Sequence, residues 1–304
     1  MWIPPAPVIG ILMVTLGTLL FSAKSIVIQW LFGFGVSVEQ LLLMRMMVSF
    51  PFYLILGGLP IRHMRRRGKR LPSLSQCLGM IVAGMLCYHA AAYLDMWALQ
   101  RITAGLERTI LFSYPLMVAI IQHFRGDKLK ALQWASLGLA YVGIWLFYYE
   151  DHQIFGDVIF WGAIAVVLAA ALTSYYVLAS QHYTRQIHSD LFTSVAMSVT
   201  ALSISTHVGV FAPSFTLVLS LPIIMRVFVL AVCCTVLASV LLNRGIAVSG
   251  AVYGSIAGML GPLITVLLSG AVLGAPITSR HGLAPALVIV GVVGVQWLGR
   301  RASS

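Results

Sequence analysis

Residues 8–28 read VIGILMVTLGTLLFSAKSIVI, a run of 21 positions in which Lys24 is the sole charge. A helix of that length rises about 30 Å at 1.5 Å per residue, the thickness of a bilayer's hydrocarbon core. The pattern recurs along the chain. Comparable apolar runs cover 39–59, 76–98, 103–123, 131–149, 157–181, 190–211, 222–246, 250–273 and 280–298. Composition agrees: of 304 residues, 60% are hydrophobic and 9% charged, and the mean hydropathy is +0.97. A soluble domain carries roughly 25% charged residues. Nine per cent cannot cover a water-facing exterior on a chain this long, so much of the surface must meet lipid. The expected fold is an all-α membrane protein of ten transmembrane helices.

The net charge of +11 sits mainly in short loops between apolar runs, which is the positive-inside pattern and not a nucleic-acid face. With a cytoplasmic N-terminus, one side holds Arg62, Arg65, Arg66, Arg67, Lys69, Arg70, Arg125, Lys128, Lys130, Arg185, Arg244, Arg300 and Arg301. The other side holds only Arg101, Arg226 and Arg280, and its loop after the fifth run carries Glu150, Asp151 and Asp157. Both termini are therefore expected in the cytoplasm, with the chain in the inner membrane. The N-terminal MWIPPAPVIG lacks a basic n-region, so the first run reads as a retained helix. Residues 60–75, with Pro60, Pro72 and a dense basic run, read as the one long loop. The cysteines, Cys77, Cys87, Cys233 and Cys234, lie in apolar runs and read as small packing residues.

The first five runs resemble the second five. Gly10 and Phe21-Ser22-Ala23-Lys24 lie 152 residues before Gly162 and Thr173-Ser174-Tyr175-Tyr176. The turn Val36-Ser37-Val38-Glu39 matches His188-Ser189-Asp190-Leu191 at the same offset. Tyr114-Pro115, ending at Gly126-Asp127, matches Gly261-Pro262, ending at Gly274-Ala275. A repeat of five spans is odd-numbered, so the second copy enters the membrane inverted. The expected units are 8–149 and 157–299. Inverted repeats place a shared site near the midplane, where rocking of the halves gives alternating access.

The stretch Tyr93-Leu94-Asp95-Met96-Trp97-Ala98-Leu99-Gln100, running into Ile102-Thr103-Ala104-Gly105-Leu106-Glu107-Arg108-Thr109-Ile110-Leu111-Phe112-Ser113-Tyr114-Pro115, resembles the EamA family of the drug/metabolite transporter superfamily. Phe21-Ser22-Ala23-Lys24, Leu43-Met44-Arg45-Met46, Gly261-Pro262 and Leu273-Gly274 extend the resemblance over nearly the whole chain. It implies ten helices in two inverted repeats and export or exchange of small metabolites, often amino acids or drugs. The family often has Gly-Glu after helices four and nine. This chain has Gly126-Asp127 and Gly274-Ala275, so the second carboxylate is lost.

Ionisable residues within spans are costly and are functional candidates. Lys24, Arg45, Asp95, Glu107 and Arg108 gather in the outer half of the first repeat, whereas Tyr176 and Met197 occupy the mirror positions of Lys24 and Arg45. Ion pairs that lock helix ends are the competing role. At least one of Asp95 and Glu107 is expected to pair with a cation, because an unpaired charge at this depth is expensive. His89 is read either as a packing residue or as a proton site.

Pro115 and Gly261-Pro262 break matching helices, and Gly250, Gly254 and Gly258 offer a close-packing stripe. Paired interruptions in the two halves point to a transport site. A central cavity is expected between helices one, three, four, six, eight and nine, with His89, Tyr93, Trp97, Tyr114 and Tyr176 on its walls. Arg45 or Lys24 is suited to attract a carboxylate. No Walker A loop, Gly-x-Ser-x-Gly or His-Glu-x-x-His occurs, so no enzyme activity, cofactor or metal is expected. The partners expected are a small-molecule substrate and membrane lipid, with proton coupling and a homodimer left open. A membrane-embedded enzyme or a channel without alternating access is the alternative.

Overall fold

The computed structural model describes residues 6–66, 72–184, 187, 189–211, 219–249 and 259–300. Ten helical passes are traced among them: α1 (Ala6–Phe32), α2 (Val38–Arg66), α3 (Leu74–Leu99), α4 (Ala104–Phe124), α5 (Ala131–Phe155), α6 (Ile159–Thr184), α7 (Ser189–Phe211), α8 (221–249), α9 (Gly261–Leu273) and α10 (Ser279–Arg300). Although α5 and α6 follow one another almost without a break, the chain reverses at Gly156, where φ is +70°. Gly162 of α6 lies against Ile102, while Tyr183 at its far end lies against Gly79. The even number of passes returns the chain to the end at which it starts. That end is the proximal end, and the opposite one is the distal end.

The spans are longer than hydropathy alone suggests. The expected 60–75 loop is an over-reading: α2 continues through Pro60 to Arg66. The fifth span runs to Phe155 instead of ending near 149. It thereby carries Asp151 out of its expected loop and into the bundle, at 1% exposure. Residues Gly250, Gly254 and Gly258 lie outside the described residues.

Three helices are not regular. Between Leu74 and Leu99, α3 has a π-helical segment at Met85–Ala91, and α8 has one at Val229–Leu237. A π-turn widens the ladder and misdirects a carbonyl. Side chains take up this slack: Thr200 donates to the Gly84 carbonyl at 3.1 Å, and Thr235 to that of Leu230 at 2.8 Å. The helix α4 breaks at Phe112–Ser113 and restarts with Pro115 in its first turn. Helix α9 likewise begins at Gly261-Pro262, after a turn at 259–260. Proline is tolerated in a first turn because its missing N–H has no partner there to lose. Gly126 and Gly274 follow these two helices with φ of +119° and +65°, backbone conformations that disfavour a Cβ.

The packing exchanges symmetrically between halves. Helix α1 packs on α8 and α9, and its counterpart α6 packs on α3 and α4. Helix α2 pairs with α7, and α5 with α10, so each of these two pairs maps onto itself. This is a two-fold relation between inverted five-helix units. The α5–α10 seam is tight because Gly143 faces the Ala284 carbonyl and Gly291 that of Ser136. Lipid-facing positions are large and apolar: Ile55, Trp145, Trp161 and Leu267 are 62–66% exposed. Many polar side chains turn inward instead, among them Ser22, Ser25, Ser49, Thr109, Ser174, Thr200 and Thr265. In lipid a polar group must find its partner within the protein.

Candidate functional site

Helices α1, α3 and α4 converge on a buried ionic network in the distal half of the first repeat. The Lys24 ammonium donates to Asp95 Oδ2 at 2.9 Å. On the neighbouring face of α1, the Ser25 hydroxyl donates to Glu107 Oε2 at 2.6 Å and accepts from Arg108 at 3.0 Å. The same guanidinium nitrogen donates to the Phe21 carbonyl at 2.6 Å, and the Phe21 ring lies 4.8 Å from the guanidinium carbon. Glu107 and Arg108 are wholly buried, and Asp95 is 3% exposed. The network works because α4 starts near the distal end: Thr103 caps its first turn, so the next residues, including Glu107 and Arg108, descend into the bundle beside Ser25.

Arg45 belongs to this neighbourhood without bonding to it. Its side chain is in electrostatic range of Asp95, Tyr53 and Tyr88. It is 4% exposed, and its Nε has no partner.

The other residues singled out from sequence fall into two further groups. His89 Nδ1 lies 2.7 Å from Ser203 Oγ, and its Nε2 lies 3.0 Å from His207. Tyr93 stacks on that same His207 and donates to Glu39 at 3.0 Å. These contacts form a polar chain across α2, α3 and α7. Toward the proximal side, Tyr176 accepts a hydrogen bond from Tyr88 at 3.0 Å, and the backbone carbonyl of Tyr114 accepts from Ser174. Trp97 joins none of these groups. It lies beneath the Arg101 guanidinium, 3.6 Å from its ring centroid.

The central cavity expected between α1, α3, α4, α6, α8 and α9 draws in part on residues 250–258, which lie outside the described residues. Among the described residues a small crevice lies distally, between α4, α5, α9 and α10, and none of Lys24, Arg45, Asp95, Glu107 and Arg108 lines it. Its polar wall is a group that sequence reasoning missed: Asp151 accepts from Thr103 at 2.6 Å and lies 3.0 Å from His281 Nε2. Ser25 was missed as well, since a serine among small residues gives no signal of bridging two charges. Among the described residues no cluster of three metal-ligating side chains occurs, and the four cysteines are unpaired thiols.

The inverted two-fold and its interrupted helices define a class, the ten-pass helical membrane transporters. The EamA-like transporter family profile matches residues 8–149 and 160–297, and the chain belongs to that family. It is 28% identical over 292 residues to the Bacillus subtilis (strain 168) protein named Uncharacterized transporter YcbK, covering 94% of this chain and 90% of that one. A solved crystal structure matches with a TM-score of 0.62 at 20% identity, covering 97% of this chain and 99% of the other. At that identity the likeness speaks for the fold alone.

Proposed function

We propose that this protein is a secondary transporter that exports or exchanges a small metabolite across the inner membrane by alternating access, with both termini cytoplasmic. The observation that carries the reading is the matched placement of helix irregularities: π-segments in α3 and α8, and a proline in the first turn both of the second segment of α4 and of α9. Irregular backbone is expensive inside a membrane and is found where it serves a pathway. Here it recurs at corresponding places in both halves, where rocking of one half against the other would exchange which end is open. The one-sided charge network then supplies recognition or gating from the first half. The thirteen Lys and Arg residues on the proximal side support cytoplasmic termini.

Uptake into proteoliposomes tests this reading. Vesicles preloaded with an unlabelled metabolite mixture should take up the labelled mixture without ATP, saturably and faster than empty vesicles. Flux that neither saturates nor responds to preloading would indicate a channel.

A further inference from the structure

The whole chain has eight carboxylate side chains: Glu39, Asp95, Glu107, Asp127, Glu150, Asp151, Asp157 and Asp190. Six are bonded to residues other than Arg45. Glu39 accepts from Tyr93, Asp95 from Lys24, and Glu107 from Ser25. Glu150 pairs with Arg280, Asp151 with Thr103 and His281, and Asp157 with His152. Asp127 is exposed between α4 and α5, and Asp190 sits in the first turn of α7. Among the described residues no carboxylate lies within 4.0 Å of Arg45, and its Nε has no hydrogen-bond partner.

Arg45 is thus a cation only 4% exposed, with no ion pair within 4.0 Å among the described residues, and the one carboxylate in electrostatic range, Asp95, is already bonded to Lys24. Its surroundings sharpen the point. Lys24, Arg45 and Arg108 are three cations against the two carboxylates Asp95 and Glu107. Lys24 is neutralised by Asp95. Arg108 is held by Ser25, the Phe21 carbonyl and the Phe21 ring, with Ser25 joining it to Glu107. The cluster has one cation more than it has carboxylates, and Arg45 is the one that these hydrogen bonds and ion pairs do not hold. The second half of the chain does not cancel it, because the mirror residue Met197 is uncharged and packs in an apolar group with Tyr53, Val236 and Tyr88. Guanidinium charges buried in membrane helices pair with something or face a pathway.

We infer that Arg45 is the receiving site for the anionic group of the transported compound, a single carboxylate. One unbalanced guanidinium matches one negative charge, and its planar fork fits a carboxylate bidentately. Tyr53 and Tyr88, in electrostatic range of Arg45, border it with aromatic surface. This deepens the transport reading above and rests on it.

The test is counterflow into proteoliposomes with three labelled pools: carboxylates (pyruvate, lactate, glutamate and leucine), neutral polyols (glucose and glycerol), and amines (putrescine and ethanolamine). The wild-type protein should exchange the carboxylate pool. Arg45→Met, which copies the mirror residue and suits the apolar surroundings, should lower that exchange on the order of 100-fold, and Arg45→Lys should restore part of it. Thermal melting in detergent separates this loss from misfolding. Arg45→Met at wild-type rate, or wild-type protein that carries only polyols or amines, overturns the inference while leaving transport standing. A folded Arg45→Met that loses exchange of every pool equally also overturns it, since the residue would then serve the fold of the pathway. No exchange of any pool by wild-type protein removes the transport reading and this inference with it.

Discussion

Neutralising Lys24 and Asp95 should not cost the same. Their side chains are 10% and 5% exposed and meet at 2.9 Å. Removing one member of a buried ion pair typically costs about 3–5 kcal/mol, because a charge is left without compensation. Asp95→Asn should reach that range, since it strips the carboxylate from Lys24 and from the field at Arg45 together. Lys24→Met should cost less, about 2 kcal/mol, since Arg45 is already in electrostatic range of Asp95 and can turn its unbonded guanidinium toward it. The double variant should be less damaging than the sum, with a coupling of about 2 kcal/mol or more. Reversible unfolding in mixed micelles, followed by tryptophan fluorescence, gives all four free energies. Singles that add within ~0.5 kcal/mol would mean the two groups do not sense each other, and the charge network would be misdrawn. A Lys24→Met variant as unstable as Asp95→Asn would instead show that Arg45 cannot take over.

Gly84→Ala should destabilise the protein by roughly 1–3 kcal/mol, read as a lower melting temperature in detergent. The new Cβ would lie 2.6 Å from the Ala196 carbonyl oxygen and 2.7 Å from its Cα, and backbone cannot step aside as a side chain can; an unchanged melt would mean that α3 and α7 lie farther apart. Reporter fusions after residues 70 and 301 should be active only with cytoplasmic reporters, and periplasmic activity after residue 70 would reverse the orientation.

The spans were legible because the membrane imposes one strong rule, about 20 apolar residues per crossing. The pairing of Lys24 with a carboxylate was legible for a similar reason, since burial makes an isolated ammonium expensive. The break in α4 and the start of α9 announced themselves through Pro115 and Pro262. The features that escaped are set by tertiary contact. Asp151 looks like a loop residue until Thr103 and His281, from opposite regions of the chain, close on it. The stretch 60–66 looks like a loop because of Pro60 and its basic residues, yet the helix runs on there. The stacking of Arg101 on Trp97, one turn away, also gives no signal in the sequence. The π-segments have no composition of their own, so nothing in MLCYHAA or VLAVCCTVL separates them from ordinary helix.

Those π-segments also set the angular phase of the residues beyond them. Each residue of an α-helix advances about 100° around the axis, so one surplus residue swings the rest of the helix by that angle. In α3 the segment ends at Ala91, just ahead of Tyr93 and Asp95. With one residue excised there, the remainder of the helix would regain α-periodicity and turn Asp95 away from Lys24 and Tyr93 away from Glu39. Two partnerships on neighbouring helices thus depend on a single supernumerary residue in the third. Across the two-fold, α8 holds the same surplus ahead of Ser239. A length change in either helix would therefore alter which side chains face inward without altering a single inward-facing residue.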